Sequence, residues 1–243
     1  MTAILQVVGV TRRFSGLVAV DNVSFELGNR EILGVIGPNG AGKTTLVSLI
    51  SGTIPPSAGE IRFESQPITS LEAYRRGRLG IARTFQIMRP FPGLSVLDNV
   101  AVGALFGRGA CRTLAEARGR ARERLDFVGL GRSVDTRADE LGGPARKRLE
   151  LAKALAMDPK VLLCDEVMAG LNLVEIDEVI DVIRRVREQG ISVLVIEHVI
   201  KAIRSLSDRL LVLHHGEKIA DDKPEVVLSD ERVVQAYLGR RRE

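Results

Sequence analysis

The chain has 243 residues, enough for one large domain, or a domain with a subdomain, around a sizeable core. Hydrophobic residues make up 45% and charged residues 27%, an ordinary globular balance; the lack of Trp and 4% aromatics argue against a base-stacking nucleic-acid platform. Net charge is +4 with a pI near 9.3, and much of the excess sits at 75–78, 118–124 and 240–242, which read either as solvated helix faces or as a surface near anionic lipid.

Two cysteines, Cys111 and Cys164, offer neither a disulfide framework nor a metal cluster, which points to a reducing cytosol. The first ten residues, MTAILQVVGV, lack a basic leader and a long apolar run. No window approaches the ~18 uninterrupted apolar residues of a membrane span, so a role at a membrane would require docking onto a partner already there.

In chain order, the first ~35 residues read as strands. Val23, Phe25 and Leu27 alternate before a Gly28-Asn29 turn. EILGVIG is a continuous apolar strand ending in glycine, and TTLVSLISG is a helix closed by Gly52. IPPSAG is a turn, EIRF a short strand and LGIARTFQ another strand. From Ser95 the texture changes: Ser95 to Asp98 has the form of a capping box, and helical patterns dominate to about Met157. Within them, LGGPARKRLELAKAL places Gly142, Gly143 and Pro144 before a helical repeat of Leu149, Leu151, Ala152, Leu155 and Ala156. Pro144 suits a first helical turn, the two glycines allow close approach of a backbone, and a bare helix N-terminus attracts an anion. From Lys160 the alternation of strand and helix resumes, with VLLCDE, a helix from about Glu175 to Glu188, ISVLVIEH, a further helix and DRLLVLHHG. Cys164, inside the first of these runs, is expected to be buried. Buried runs of Val, Ile and Leu between helices imply an α/β core with a mainly parallel sheet.

GPNGAGKTT, from Gly37 through Pro38, Asn39, Gly40, Ala41, Gly42, Lys43 and Thr44 to Thr45, matches G-x-x-x-x-G-K-[ST] between an apolar strand and a helix. The glycines let successive N–H groups curl around phosphate oxygens. Lys43 can reach the β- and γ-phosphates and the Thr44 hydroxyl can bind Mg²⁺, so the motif indicates a nucleoside triphosphate. At the end of VLLCDE, Asp165 can hold the Mg²⁺ water shell and Glu166 can polarise an attacking water. His198 ends the next apolar strand, where it could contact a γ-phosphate; a histidine alone is more often structural, and its place after this strand favours function.

These motifs, in this order over nearly the whole chain, resemble the ATP-binding subunits of ABC transporters. The resemblance implies ATP and Mg²⁺ as cofactors, with GPNGAGKTT as Walker A and VLLCDE as Walker B plus the catalytic glutamate. Gln86, in ARTFQ, falls where the family places a Mg²⁺-contacting glutamine that also senses the membrane partner. Ala169 to Asn172 (AGLN) look like the D-loop, His198 like the switch histidine, and Phe14 falls where an aromatic stacks on adenine. RTFQIMRPFPGLSVLDNV, VIEHVIKAI and the closing AYLG are similar to the importers of branched-chain amino acids and amides, which use two different ATP-binding subunits. LGGPA falls where the family carries LSGGQ, the loop that caps the γ-phosphate of ATP held by the other subunit, so Gly142, Gly143 and Pro144 would act in trans. Gly142 brings no hydroxyl and Pro144 no N–H, and Ala145 and Val167 also depart from the family pattern.

The expected architecture is α/β: a P-loop NTPase core at 1–86 and 160–243, with a mainly parallel sheet and an antiparallel β portion near the N-terminus, and an inserted α-helical subdomain at 87–159. The expected partners are integral membrane permease subunits, a second ATP-binding subunit (heterodimer or homodimer) and a separate substrate-binding protein, with no nucleic acid. The Gln86–Asn99 segment should border the groove for a permease helix. The expected place is the cytoplasmic face of the inner membrane, held peripherally. A regulatory nucleotide switch with weak hydrolysis, suggested by LGGPA, and a nucleic-acid ABC ATPase are the alternatives; a single cassette and few aromatics stand against the second.

Overall fold

The computed structural model describes residues 3–85 and 90–238. Two long strands, β1 (Ala3–Phe14) and β2 (Leu17–Gly28), form an antiparallel hairpin whose two-residue turn, Ser15 and Gly16, lies at positive φ. The alternation of β2 is that of a half-buried strand: Val23, Phe25 and Leu27 face inward, Ser24 and Glu26 outward. β3 (Ile32–Ile36) is buried throughout, and α1 (Lys43–Ser51) follows the phosphate loop and closes on Gly52 at φ 78. β4 (Ala58–Phe63) and β5 (Gln66–Pro67) complete the first stretch. Next come α2 (Ala73–Leu79), β6 (Ile81–Arg83), α3 (Val96–Phe106), α4 (Leu114–Phe127), α5 (Gly143–Ala156), β7 (Val161–Asp165) and α6 (Leu173–Glu188). The described residues close with β8 (Ser192–Ile196), α7 (Ile200–Leu206), β9 (Arg209–His214), β10 (Glu217–Asp222), α8 (Pro224–Ser229) and α9 (Glu231–Leu238).

Two compact units result, one from Met1–Glu72 and Ser192–Glu243, the other from Ala73–Ile191. The first holds an antiparallel sheet, β2-β1-β4-β5, and a run β10-β9-β3-β8 in which β3 is parallel to both β8 and β9. The β9–β10 hairpin turns at His215 and Gly216, both at positive φ. β3 and β8 have no exposed residue, the texture of strands covered on both faces. The second unit pairs β6 and β7 in parallel and gathers the helices. Its limits at 73 and 191 lie outside the expected helical insertion at 87–159.

Several elements differ from their sequence expectation. LGIARTFQ yields only three strand residues: Leu79 ends α2 and Thr84 has left the strand. In the expected capping box, the Ser95 hydroxyl does accept from Asp98 N at 3.0 Å, but the Asp98 carboxylate turns to Arg118 of α4 at 2.7 Å. That guanidinium holds the Asp98 carboxyl below its ordinary range. α6 begins at Leu173, two residues early, because Asn172 caps it in a reciprocal box with Glu175. Burial of α5 follows the sequence pattern, with Leu149, Leu151, Ala152, Leu155 and Ala156 all inside, and Cys164 is buried as expected. Each such Leu contributes about 1.5–3 kcal/mol relative to exposure.

Candidate functional site

The phosphate loop bridges the end of β3 and the start of α1. Two of its glycines are dictated by space. A Cβ on Gly37 would lie 2.1 Å from Leu213 O of β9, and one on Gly42 would lie 2.2 Å from Ala19 O of β2. Gly42 also sits at φ 99 and N-caps α1 without a side-chain hydrogen bond. Gly42 therefore places no side chain over the first turn of α1, which suits an anion site at a helix N-terminus. Lys43 is 6% exposed, and its Nζ donates to Gly37 O at 2.7 Å and Pro38 O at 2.9 Å. The loop is tied further by Gly216 N donating to Ala41 O at 3.2 Å. Gly37 N donates to Tyr237 Oη at 2.7 Å. Asn39, Gly40, Thr44 and Thr45 lie on the same stretch, Thr45 in the first turn of α1.

His198 is level with this loop. β3 and β8 run parallel with Val35 opposite Ile196, so Gly37 and His198 each follow two residues after that pair. Both stand at the C-terminal edge of parallel strands, where ligands bind in open α/β sheets. His198 is exposed at a bend before α7. Phe14, also in this unit, is 40% exposed at the end of β1, with the Arg12 guanidinium 4.6 Å from its ring centroid. It is not the core aromatic that its residue type would suggest.

Asp165 and Glu166 belong to the other unit. Asp165 ends β7 with its side chain fully buried and pairs with Arg83 of β6 at 2.7 Å. Its N–H donates to Thr84 Oγ1 at 3.1 Å. A buried carboxylate with oxygen donors is the ligand chemistry of a hard cation such as Mg²⁺. Glu166 sits at φ 54, an uncommon backbone region for a residue with a Cβ. Its carbonyl accepts from Lys147 Nζ of α5 at 2.9 Å and from Ala169 N at 3.3 Å.

The start of α5 agrees with the geometry expected of LGGPA. Gly142 is the N-cap at φ −67 and ψ 166 with no side-chain cap, and Pro144 occupies the first turn. A Cβ on Gly142 or Gly143 would meet nothing within 4 Å, so the helix end is open. Gln86 lies outside the described residues. Arg83, Lys147 and Tyr237 were not singled out by sequence, although ARTFQ and AYLG contain two of them.

The family profile described as ABC transporter matches residues 20–169, and one described as branched-chain amino acid ATP-binding cassette transporter matches 217–243. The high-affinity branched-chain amino acid transport ATP-binding protein LivG of Salmonella typhimurium is 36% identical, over 97% of this chain and 98% of its own. BraF of Pseudomonas aeruginosa, of the same description, is 35% identical with the same coverage. Among solved structures, a nucleotide-free ATP-binding cassette from an ABC transporter matches with a TM-score of 0.91 at 30% identity, over 98% of this chain and 100% of the other. A cassette in its ADP conformation matches with a TM-score of 0.89 at 30% identity, over 99% and 100%.

Proposed function

The chain belongs to the ABC transporter family, and we propose that it is the ATP-hydrolysing subunit of an importer for branched-chain or other hydrophobic amino acids or amides. Its ATPase class and its homology to branched-chain amino acid transport ATP-binding proteins follow from the family match and the relatives. The cargo, the pairing of subunits and the residue roles are the proposal. The observation that carries it is the phosphate loop, with Gly37 and Gly42 wedged against Leu213 and Ala19 and Lys43 poised on two loop carbonyls. The relatives reported are transport proteins, which favours this reading over a nucleic-acid ATPase or a purely regulatory switch.

In this reading the amides of Pro38 to Thr45 that carry an N–H cradle the phosphates, and Lys43 leaves the loop carbonyls for the β- and γ-phosphates. Thr44, Asp165 and Gln86 would hold Mg²⁺, which would supply charge neutralisation at the phosphates. Glu166 accepts a proton from the attacking water through its carboxylate. His198 orients the γ-phosphate end and Phe14 stacks on adenine. Gly142, Gly143 and Pro144 close on ATP held by a second ATP-binding subunit. The Gln86–Asn99 segment borders the groove for a permease helix, and the chain sits peripherally on the cytoplasmic face of the inner membrane, served by a separate substrate-binding protein. Among the described residues no helix is long and apolar enough to cross a membrane, which leaves the crossing to permease subunits.

Glu166→Gln tests the reading. The variant should bind ATP with wild-type affinity and lose turnover, since the amide cannot take the proton. Cells carrying it in place of the wild-type chain should lose high-affinity uptake of radiolabelled leucine. Wild-type hydrolysis by the variant would move the base elsewhere, and unchanged leucine uptake would remove the assigned cargo class.

A further inference from the structure

The C-terminal helix α9 reaches the phosphate loop through one atom. Tyr237 Oη accepts a hydrogen bond from Gly37 N at 2.7 Å across 200 positions of sequence. Gly37 is the residue just beyond β3, and its carbonyl is one of the two that hold Lys43 Nζ. It is also pressed against β9, since a Cβ there would lie 2.1 Å from Leu213 O. Three elements therefore converge on one residue: β9 by contact, α1 through Lys43 and α9 through Tyr237. Val233, one turn before Tyr237 on α9, is 3% exposed and seats the helix.

We propose that Tyr237 is a positioning residue of the nucleotide site, whose hydroxyl holds Gly37 in place while Lys43 exchanges the Gly37 and Pro38 carbonyls for phosphate oxygens. The proposal rests on reading the loop as the ATP site. When Lys43 leaves, Gly37 loses the donor on its carbonyl, and its N–H bond to Tyr237 persists. Without that bond the strand-to-loop junction must be reordered each time nucleotide arrives, and the ordering is subtracted from binding. The phenol suits the post. Partial burial, with 41% of the residue still exposed, raises its pKa, so it stays a neutral acceptor and brings no negative charge near an anion site.

Tyr237→Phe removes the acceptor and keeps the ring. In the full-length nucleotide-free chain, the Gly37 amide proton should shift upfield and exchange with solvent faster. ATP affinity by calorimetry should weaken about three- to tenfold, the worth of one ordinary hydrogen bond. A role confined to overall stability would lower Tm and leave both the Gly37 amide and the ATP Kd unchanged, and that result overturns the proposal. If Tyr237→Phe folds poorly, hydrogen exchange across residues 33–41 in a Val233→Ala chain, which loosens the seat of α9 and keeps the hydroxyl, gives the same decision: faster exchange supports the tether and unchanged exchange overturns it. A wild-type chain with no affinity for ATP would overturn the phosphate-loop reading itself, whereas weakened ATP binding with an unmoved Gly37 amide would overturn only the Tyr237 contact.

Discussion

Lys43 shows how much one side chain can be asked to do. Its ammonium is nearly buried, and two carbonyls hold it within the loop that it will serve. A charge-assisted contact from such a group to phosphate is worth about 1.5–3 kcal/mol. Lys43→Ala should therefore weaken ATP binding about 10- to 150-fold by calorimetry, with little change in fold because Gly37 and Gly42 still set the path of the loop. Unchanged affinity would reject the assignment of the loop. Gly37, Gly42 and Lys43 were legible because a short loop between strand and helix imposes their spacing locally. Arg83, Lys147 and Tyr237 were not, because their contacts with Asp165, Glu166 and Gly37 span 82, 19 and 200 positions. Nor does sequence state that Glu166, just past β7, sits at φ 54.

At the scale of elements, the entry to α3 depends on Asn99. Asn99 is fully buried, accepts from Phe91 N at 2.7 Å and donates to Ser95 O at 3.0 Å, with longer contacts to Phe91 O and Leu94 O. It thus shapes the turn at 91–95, which leaves Phe91 and Leu94 exposed within the segment proposed to border a permease helix. Asn99→Ala leaves the part-buried Phe91 N–H without its acceptor, whereas Ser95 O keeps the Asn99 N–H, a cost of about 1–3 kcal/mol. In a chain of this size that should lower Tm by about 2–12 °C in thermal unfolding. A shift under about 1 °C would mean that water replaces the side chain fully. The strands β3, β7 and β8 were readable because continuous apolar runs leave few alternatives. α2 was not: its buried residues are Arg76 and Gly77, so it has no apolar stripe to detect. Burial lowers the Arg76 pKa to about 10, which still leaves the guanidinium charged at neutral pH. The length of β6 was equally hidden: Thr84 N still bonds Leu163 O of β7, but its side chain accepts from Asp165 N and the strand stops at Arg83.

At the scale of the whole molecule, function is proposed to depend on a second ATP-binding chain, and the open start of α5 gives that idea a test. Gly142 has extended backbone angles that any residue adopts, and a Cβ there meets nothing within 4 Å. Serine can therefore replace it without moving the helix. As an N-cap it should leave stability unchanged or raise it by a few tenths of a kcal/mol. What changes is the donor set: a hydroxyl now stands where the wild-type chain has none, and Pro144 still supplies no N–H. Donors aimed at a transferring phosphoryl group act mainly on charge that builds up in the transition state. If LGGPA closes on ATP held by another copy, the isolated chain has two weakened sites and should hydrolyse ATP slowly. A partner subunit with an intact loop should raise the rate, because that loop would complete the site built on Lys43 and Glu166. Gly142→Ser should raise the rate of the isolated chain about fivefold, the return on one donor worth about 1 kcal/mol, with Tm unchanged. Steady-state ATPase assays at saturating ATP, with dimerisation followed by light scattering, decide between the outcomes. Fast hydrolysis by the isolated wild-type chain, or a Gly142→Ser chain that dimerises with ATP and turns over no faster, would show that the missing hydroxyl does not limit this site.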